Sequence, residues 1–138
     1  MNNKRWLQAS VAVAVVMFIL EFIIHGIMLQ GIYHQTASVW RPEAEFQKMM
    51  WMMWLGYLIF APFFALIYAK GYEPKKPGLE QGFRYGIYMA MALAPMQSLA
   101  WYVILPIPGT LAFYWLLANV VEFVAFGITV GLVYNKKK

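Results

Sequence analysis

Two glutamates and one histidine lie inside stretches that otherwise consist of apolar residues: Glu21, His25 and Glu122. An ionisable side chain at the centre of a bilayer costs about 2.5–3.5 kcal/mol even on scales based on insertion experiments. Such a side chain therefore needs a partner, a water-filled cavity, a bound ion or a proton. We expect any function intrinsic to this chain to begin at these three residues.

The spacing of the polar residues places them in one layer of the presumed bilayer. Glu21 and His25 are four residues apart and Asn119 and Glu122 are three apart, so each pair shares a helical face. Counted along helices, Glu122 lies near the bilayer centre, with Glu21, Gln97 and Asn119 about 4–6 Å farther out. His25 lies about 10 Å farther out. The sequence therefore predicts a buried polar site formed by these five residues.

Four roles for this site remain open at the level of the sequence. Protonated glutamate and neutral histidine can hydrogen-bond across helices and thereby fix their register. Facing carboxylates can share a proton, which His25 can pass outward toward Glu43 and Glu45, so the site can also relay protons or a cation. The third role is a metal or haem site, and the fourth is binding of a lipid or another hydrophobic ligand. In each case we expect Glu21 and Glu122 to point inward, with at least one of them protonated.

A metal or haem site needs more ligands than the two histidines of this chain, His25 and His34. One chain does not easily supply two axial haem ligands, whereas a symmetric dimer can pair His25 with its twin. Methionine thioethers suit Cu(I), although methionine is also a common packing residue. The leading expectation is that no cofactor is bound, with haem or copper as alternatives. The candidate metal ligands are His25, Met28, Met49, Met53 and Met96.

Enzymatic signatures are not found in the sequence. It contains no HExxH motif, Walker loop, dinucleotide fingerprint or Ser–His–Asp arrangement, and aspartate is absent from the chain. The absence of cysteine excludes thiolate catalysis, iron–sulfur clusters and covalent haem attachment. We therefore expect a non-catalytic component, either accessory or oligomeric, of a membrane system.

The elements that must hold the site are four apolar segments. Apolar residues make up 62% of the 138 positions and charged residues 12%. The segments cover about 7–30, 49–69, 83–105 and 110–134, each close to the roughly 20 residues that a bilayer requires. We predict an all-α integral membrane four-helix bundle that forms one domain over residues 1–138. A short amphipathic segment that starts at Pro42 is expected to lie along the membrane interface.

Basic residues predict the orientation of the bundle. Nine lie at the termini or in the second connection, and two lie on the other side. The positive-inside rule then places both termini in the cytoplasm of a multi-pass cell-membrane protein, with the bacterial inner membrane as the expected location. The pI of about 9.5 indicates contact with anionic lipid headgroups and not with nucleic acid, because no soluble basic domain is present.

Small residues mark the third and fourth segments as close-packing helices. Gly82, Gly86, Ala90 and Ala94 recur every four residues, and Gly127 and Gly131 form a second small-residue ridge. In lipid such residues allow helix backbones to approach each other. Packing within one bundle and packing between subunits are both open. We predict a homo-oligomer or a larger membrane complex, with one of the two ridges at its interface.

A pattern of glycine, proline and tryptophan spacings runs through most of the chain. It consists of Gly-x3-Gly-x3-Gly from Gly78, Leu105-Pro-Ile-Pro-Gly109, Trp115, Glu122, Gly127 and Gly131, together with His25-Gly26. In this pattern the chain resembles the small bacterial four-helix membrane proteins known only as domains of unknown function. The resemblance implies a four-helix fold and no activity, and we transfer no functional residue from it.

Overall fold

The computed structural model describes residues 1–135, so the predicted cytoplasmic lysines at 136–138 lie outside the described residues. Within residues 1–135 the chain is helical and contains no β-strand. The elements are α1 (Asn3–Glu21), continued by a π-helix (Phe22–Met28), α2 (Gln30–Gln35), a 3-10 turn (Ala37–Val39), α3 (Glu43–Lys70), α4 (Gly78–Ile104) and α5 (Gly109–Tyr134).

Among residues 1–135, four helices are long and apolar enough to cross a membrane: Asn3–Met28, α3, α4 and α5. The predicted all-α class and the number of helices of spanning length are therefore confirmed. In the most apolar 18-residue stretch of each helix, 39% of the residues are buried in α5 but only 11% in Asn3–Met28. Helix α5 is accordingly the central element, and it packs against both α1 and α4, while α3 packs mainly on α1.

Helix α3 begins at Glu43 and not near position 49. The expected separate amphipathic segment after Pro42 is therefore wrong, because these residues form the first turns of α3. The local chemistry explains the early start. Glu43 and Glu45 lie in the first turn, where the helix dipole favours negative charge, and the Gln47 amide donates to the Glu43 carboxylate at 2.8 Å.

The two small-residue ridges pack against each other inside the chain. A Cβ added at Gly82 would overlap the carbonyl oxygen of Gly127, and a Cβ added at Gly86 would lie 2.6 Å from that of Phe123. The prediction that one ridge serves a subunit interface is thus wrong, and packing within the bundle is the correct alternative. Ala90 and Ala94 are buried as well. The oligomer itself stays a prediction.

Hydrogen bonds join the two ends of the described chain to each other and join Asn135 to the connection between α3 and α4. The backbone N–H of Asn2 donates to the Tyr134 hydroxyl at 3.2 Å, and the Asn135 amide donates to the Lys76 carbonyl at 3.4 Å. Hydrogen bonds from Lys76 and Arg84 also hold the pKa of the Glu73 carboxyl in this connection below its usual value. The two ends and this connection therefore share one end of the bundle, opposite to α2.

Candidate functional site

The π-helix after α1 carries the histidine of the predicted site. The Leu29 N–H donates to the carbonyl of Ile24, five residues back, at 2.9 Å, which is the wide-turn pattern of a π-helix. Glu21 is the last residue of α1 and His25 lies in the middle of the π-helix. Such insertions occur frequently at functional sites, where they change the direction of a side chain without ending the helix.

Three ionisable side chains converge where this segment packs against α5. One ligand atom from each of Glu21, His25 and Glu122 lies within 4.8 Å of the others. His25 Nε2 is 3.8 Å from Oε2 of Glu21. We call these three residues the carboxylate–histidine cluster. Glu21 and His25 are neighbours along one helical segment, and Glu122 comes close to them only because α5 packs against that segment.

Glu122 is the most deeply buried member of the cluster, with 5% of its surface exposed. Its Oε1 atom has no hydrogen-bond partner among residues 1–135. Within the described residues, neither Asn119 nor Gln97 bonds this oxygen. Asn119 instead donates to Ser98 at 3.5 Å, and Gln97 is exposed. A buried oxygen without a partner is costly, so this atom is available to a proton, an ion or a polar ligand.

A tyrosine and a tryptophan orient the imidazole of His25. The Trp115 Nε1–H donates to the Tyr33 hydroxyl oxygen at 2.8 Å, and this hydroxyl lies 2.6 Å from His25 Nδ1. Because the indole can only donate, the hydroxyl hydrogen is free to point at Nδ1. Neutral His25 then carries its proton on Nε2, the nitrogen that faces Glu21. The Tyr33 ring also stacks on the imidazole, with 14° between the two planes.

Sequence reasoning missed this pair of orienting residues. Tyr33 lies eight residues beyond His25, in α2, and the chain bends between them at Leu29. A continuous helix would have turned Tyr33 away from His25, so the helical period gave no signal. Only the change of direction at Leu29 brings Tyr33 back over the imidazole.

A cavity of about 780 Å³ lies between α3 and α4 and reaches the cluster. This volume is in the range of small-molecule sites. The mouth is formed by exposed residues of α3 and α4, and the floor by α1 and α5. The lining residues include Met17, Glu21, Met53, Gly56, Tyr57, Phe60, Leu93, Met96, Gln97, Trp101, Asn119 and Glu122.

Aromatic contacts on the other side of this cavity explain its position. Toward the end that carries the termini, α3 and α4 meet through Phe64 and Tyr85, whose ring centroids are 4.7 Å apart. The Tyr85 hydroxyl also donates to the carbonyl of Phe64 at 2.8 Å. Toward the α2 end the two helices separate, and the space between them is the cavity.

The predicted methionine ligands are divided by the fold. Met53 and Met96 line the cavity together with Met17, which the sequence analysis did not select. Met28 and Met49 lie outside this lining and are exposed. The donors of the cluster are up to 4.8 Å apart, whereas the ligand atoms of a tetrahedral zinc ion, each about 2.0–2.2 Å from the metal, lie only about 3.3–3.6 Å from one another. The cluster can thus hold a proton as it stands, while a zinc ion would require the side chains to close around it.

Comparison with models of protein families, with curated proteins and with solved structures gives no match. The four-helix architecture agrees with the fold implied by the resemblance in the sequence, which carried no activity. The function is accordingly inferred from the geometry of the site.

Proposed function

We propose that this protein is a multi-pass protein of the cell membrane with both termini in the cytoplasm. The support is the outer surface of the bundle, where large apolar side chains such as Val103 (85% exposed) and Met28 (71% exposed) face outward. Soluble proteins rarely expose contiguous apolar surface of this kind. The basic residues of the α3–α4 connection, which lies at the same end as the described termini, favour the cytoplasmic orientation.

Single cysteines test this topology without interference, because the chain contains no native cysteine. Ser38 and Lys75 are exposed residues at opposite ends of the bundle. We expect a membrane-impermeant thiol reagent to label Ser38→Cys in intact cells and to label Lys75→Cys only after permeabilisation. The reverse pattern would show that the bundle has the opposite orientation.

We propose further that the carboxylate–histidine cluster binds and releases a proton, and that the protein is a non-catalytic relay component. The observation that carries this proposal is the buried, unpartnered Oε1 atom of Glu122 next to Glu21 and His25. Two carboxylates this close in an apolar surrounding repel each other when both are charged, so one of them holds a proton. The site therefore gains and loses protons as a unit.

The orientation of the imidazole gives the relay a path. Glu122 faces Glu21 inside the bundle, and Glu21 faces the Nε2 atom of His25. The Nδ1 atom of His25 is bonded to Tyr33 in α2, near the end of the bundle opposite the termini. With its proton on Nε2, the imidazole can give that proton to Glu21 while Nδ1 takes the proton of the Tyr33 hydroxyl, which is replaced from the outer surface. A proton thus passes inward to the buried carboxyl pair, and outward passage uses the other tautomer, with the proton on Nδ1. The step between Nε2 and Glu21 spans 3.8 Å, so it needs a small approach of the two side chains.

Infrared spectroscopy of the purified protein tests the proton site. All six acidic residues of the chain are glutamates, which leaves few carboxyl bands to assign. We expect a protonated-carboxyl band that disappears as the pH is raised, that is absent in Glu122→Gln and that shifts in Glu21→Gln. Glu45→Gln, at an exposed position of α3, is the control and should leave the band unchanged. A band unaffected by both cluster variants would overturn the proposal.

The second candidate is a metal site formed by the same three side chains. One observation favours it: one ligand atom from each of the three side chains lies within 4.8 Å of the others. A metal on Nε2 would require the proton of His25 to move to Nδ1, which would then donate to the Tyr33 hydroxyl oxygen, as metal-ligating histidines donate to an acceptor. Metal analysis and an absorption spectrum of the same sample separate the two candidates. A stoichiometric metal or a haem band that is lost in His25→Ala would favour the second candidate over the proton relay.

A further inference from the structure

We propose that the cavity between α3 and α4 binds a long-chain primary amine, with its ammonium group at Glu122 and its alkyl chain along the apolar walls. This inference deepens the proposed function and rests on it, since the ammonium group takes the place of the proton in the carboxylate–histidine cluster. It names the class of ligand that exchanges with that proton.

The walls of the cavity select an apolar body. Most of the lining is aliphatic or aromatic, with Phe60 and Tyr57 from α3 and Leu93 and Trp101 from α4. Met53 and Met96 stand at the mouth, and both are exposed. Methionine side chains adapt to ligands of different shape because they are unbranched and flexible. An alkyl chain can therefore enter between α3 and α4 from the surrounding lipid.

The floor of the cavity selects a positive head group. The carboxyl groups of Glu21 and Glu122 lie there, and among residues 1–135 the cavity lining contains neither lysine nor arginine. Among residues 1–135, the other ionisable groups near Glu122 are Tyr57 from α3, Tyr33 from α2 and His25 from the π-helix, while α4 contributes the neutral Gln97. A carboxylate or phosphate head would meet like charge at this floor. A cation is paired by Glu122 and also lies near the rings of aromatic residues.

The unpartnered oxygen of Glu122 gives the ammonium group a specific acceptor. Glu122 is 95% buried, as only 5% of its surface is exposed, and it lines the cavity. An ammonium group has three donors, which can reach Oε1 of Glu122 and the carboxyl group of Glu21. A charge-assisted hydrogen bond of this kind is about twice as strong as a neutral one. An alcohol with the same chain lacks the charge and should bind more weakly.

Binding of the amine is an exchange in which the ammonium ion replaces the proton of the carboxyl group. An alkylammonium ion from water meets Glu122 in its protonated form, the carboxyl O–H bond breaks, and the proton leaves to the solvent. The products are the ammonium–carboxylate pair in the cavity and one free proton. No oxidant, reductant or other reactant is required. Up to one proton is thus released for each amine bound.

The test uses the full chain in nanodiscs of phosphatidylcholine and radiolabelled dodecylamine, with the signal of empty nanodiscs subtracted. We expect saturable binding at one site per chain. Dodecanol should compete at least about tenfold more weakly than unlabelled dodecylamine does. Glu122→Gln should weaken the binding of dodecylamine by a similar factor. Dodecanoic acid should not compete.

Two glycines provide a matched pair of blocking variants. Gly56 lines the cavity and Gly31 lies in α2 away from it, and a Cβ added at either position meets no atom within 4 Å. Gly56→Trp should fill the cavity and abolish binding with Glu122 intact, whereas Gly31→Trp should bind as the wild type does. Circular dichroism confirms that each variant is folded.

The results that would overturn the inference are equal binding by wild type and Glu122→Gln, equal competition by dodecanol, or full binding by Gly56→Trp. The inference and the proposed function fail separately. The infrared titration of Glu122 is measured without any amine, so a titrating carboxyl without amine binding would retain the proton site and reject this ligand. Amine binding without a titrating carboxyl would reject the proton site.

Discussion

Gly82→Ala is expected to lower the free energy of unfolding by about 3 kcal/mol, in the upper range of the cost of overpacking. The physical reason is the contact between α4 and α5, where an added Cβ at Gly82 overlaps the backbone carbonyl of Gly127. Backbone atoms cannot rotate away as a flexible side chain can. The two helices must therefore separate along their whole small-residue contact, which weakens the packing of Gly86 as well.

Gly56→Ala is the matched control for this prediction. Gly56 is also a helical glycine, but an added Cβ there meets no atom within 4 Å. Alanine is favoured over glycine in a helix by about 1 kcal/mol, so this variant should be as stable as the wild type or slightly more stable. The measurement is reversible unfolding in mixed detergent micelles. Equal stabilities of Gly82→Ala and Gly56→Ala would contradict the close α4–α5 contact.

Glu122→Leu is expected to raise the free energy of unfolding by about 1–3 kcal/mol, the cost of a buried polar group without a hydrogen bond. A leucine would destabilise the protein only if it left a hydrogen-bond partner of Glu122 without a bond. Oε1 of Glu122 has no partner among residues 1–135, so leucine removes a desolvated polar atom and leaves no donor stranded.

Glu122→Gln separates the loss of charge from the loss of polarity. Its amide remains a buried polar group, so its stability should stay close to that of the wild type. Both variants should lose the infrared carboxyl band and should bind dodecylamine at least about tenfold more weakly than the wild type. A Glu122→Leu protein that is more stable than the wild type, lacks the infrared carboxyl band and binds dodecylamine weakly would show that the carboxyl group serves the function at a cost in stability. A clearly destabilised Glu122→Leu protein would instead indicate that Glu122 has a structural partner, such as a bound water.

Much of the fold follows from the sequence because lipid-soluble helices have a simple signature. Four apolar segments near the length of a bilayer predicted the four long helices. The connection between Ile104 and Gly109 is so short that α4 and α5 are antiparallel neighbours. Element boundaries were less accurate at α3, because the charged residues after Pro42 interrupt the apolar pattern without interrupting the helix. Hydropathy does not detect helical residues that extend beyond the apolar segment.

The sequence by itself also determined which residues are expensive to bury. Glu21 and His25 share a face because a helix repeats every 3.6 residues, and this follows from local geometry alone. Their depth, and that of Glu122, followed from counting along each segment. These inferences need no knowledge of how the helices are arranged.

Tertiary structure decided how those residues are used. The approach of Glu122 to Glu21 and His25, the orientation of the imidazole by Tyr33, and the pairing of the two glycine ridges all depend on which helix faces meet. The cavity depends on the separation of α3 from α4, which follows from where their aromatic residues touch. Helical periodicity shows which residues share a face of one helix. The energy that decides which two faces pack together is spread over many small contacts. The partner of each face is therefore a property of the packed bundle and not of any one segment.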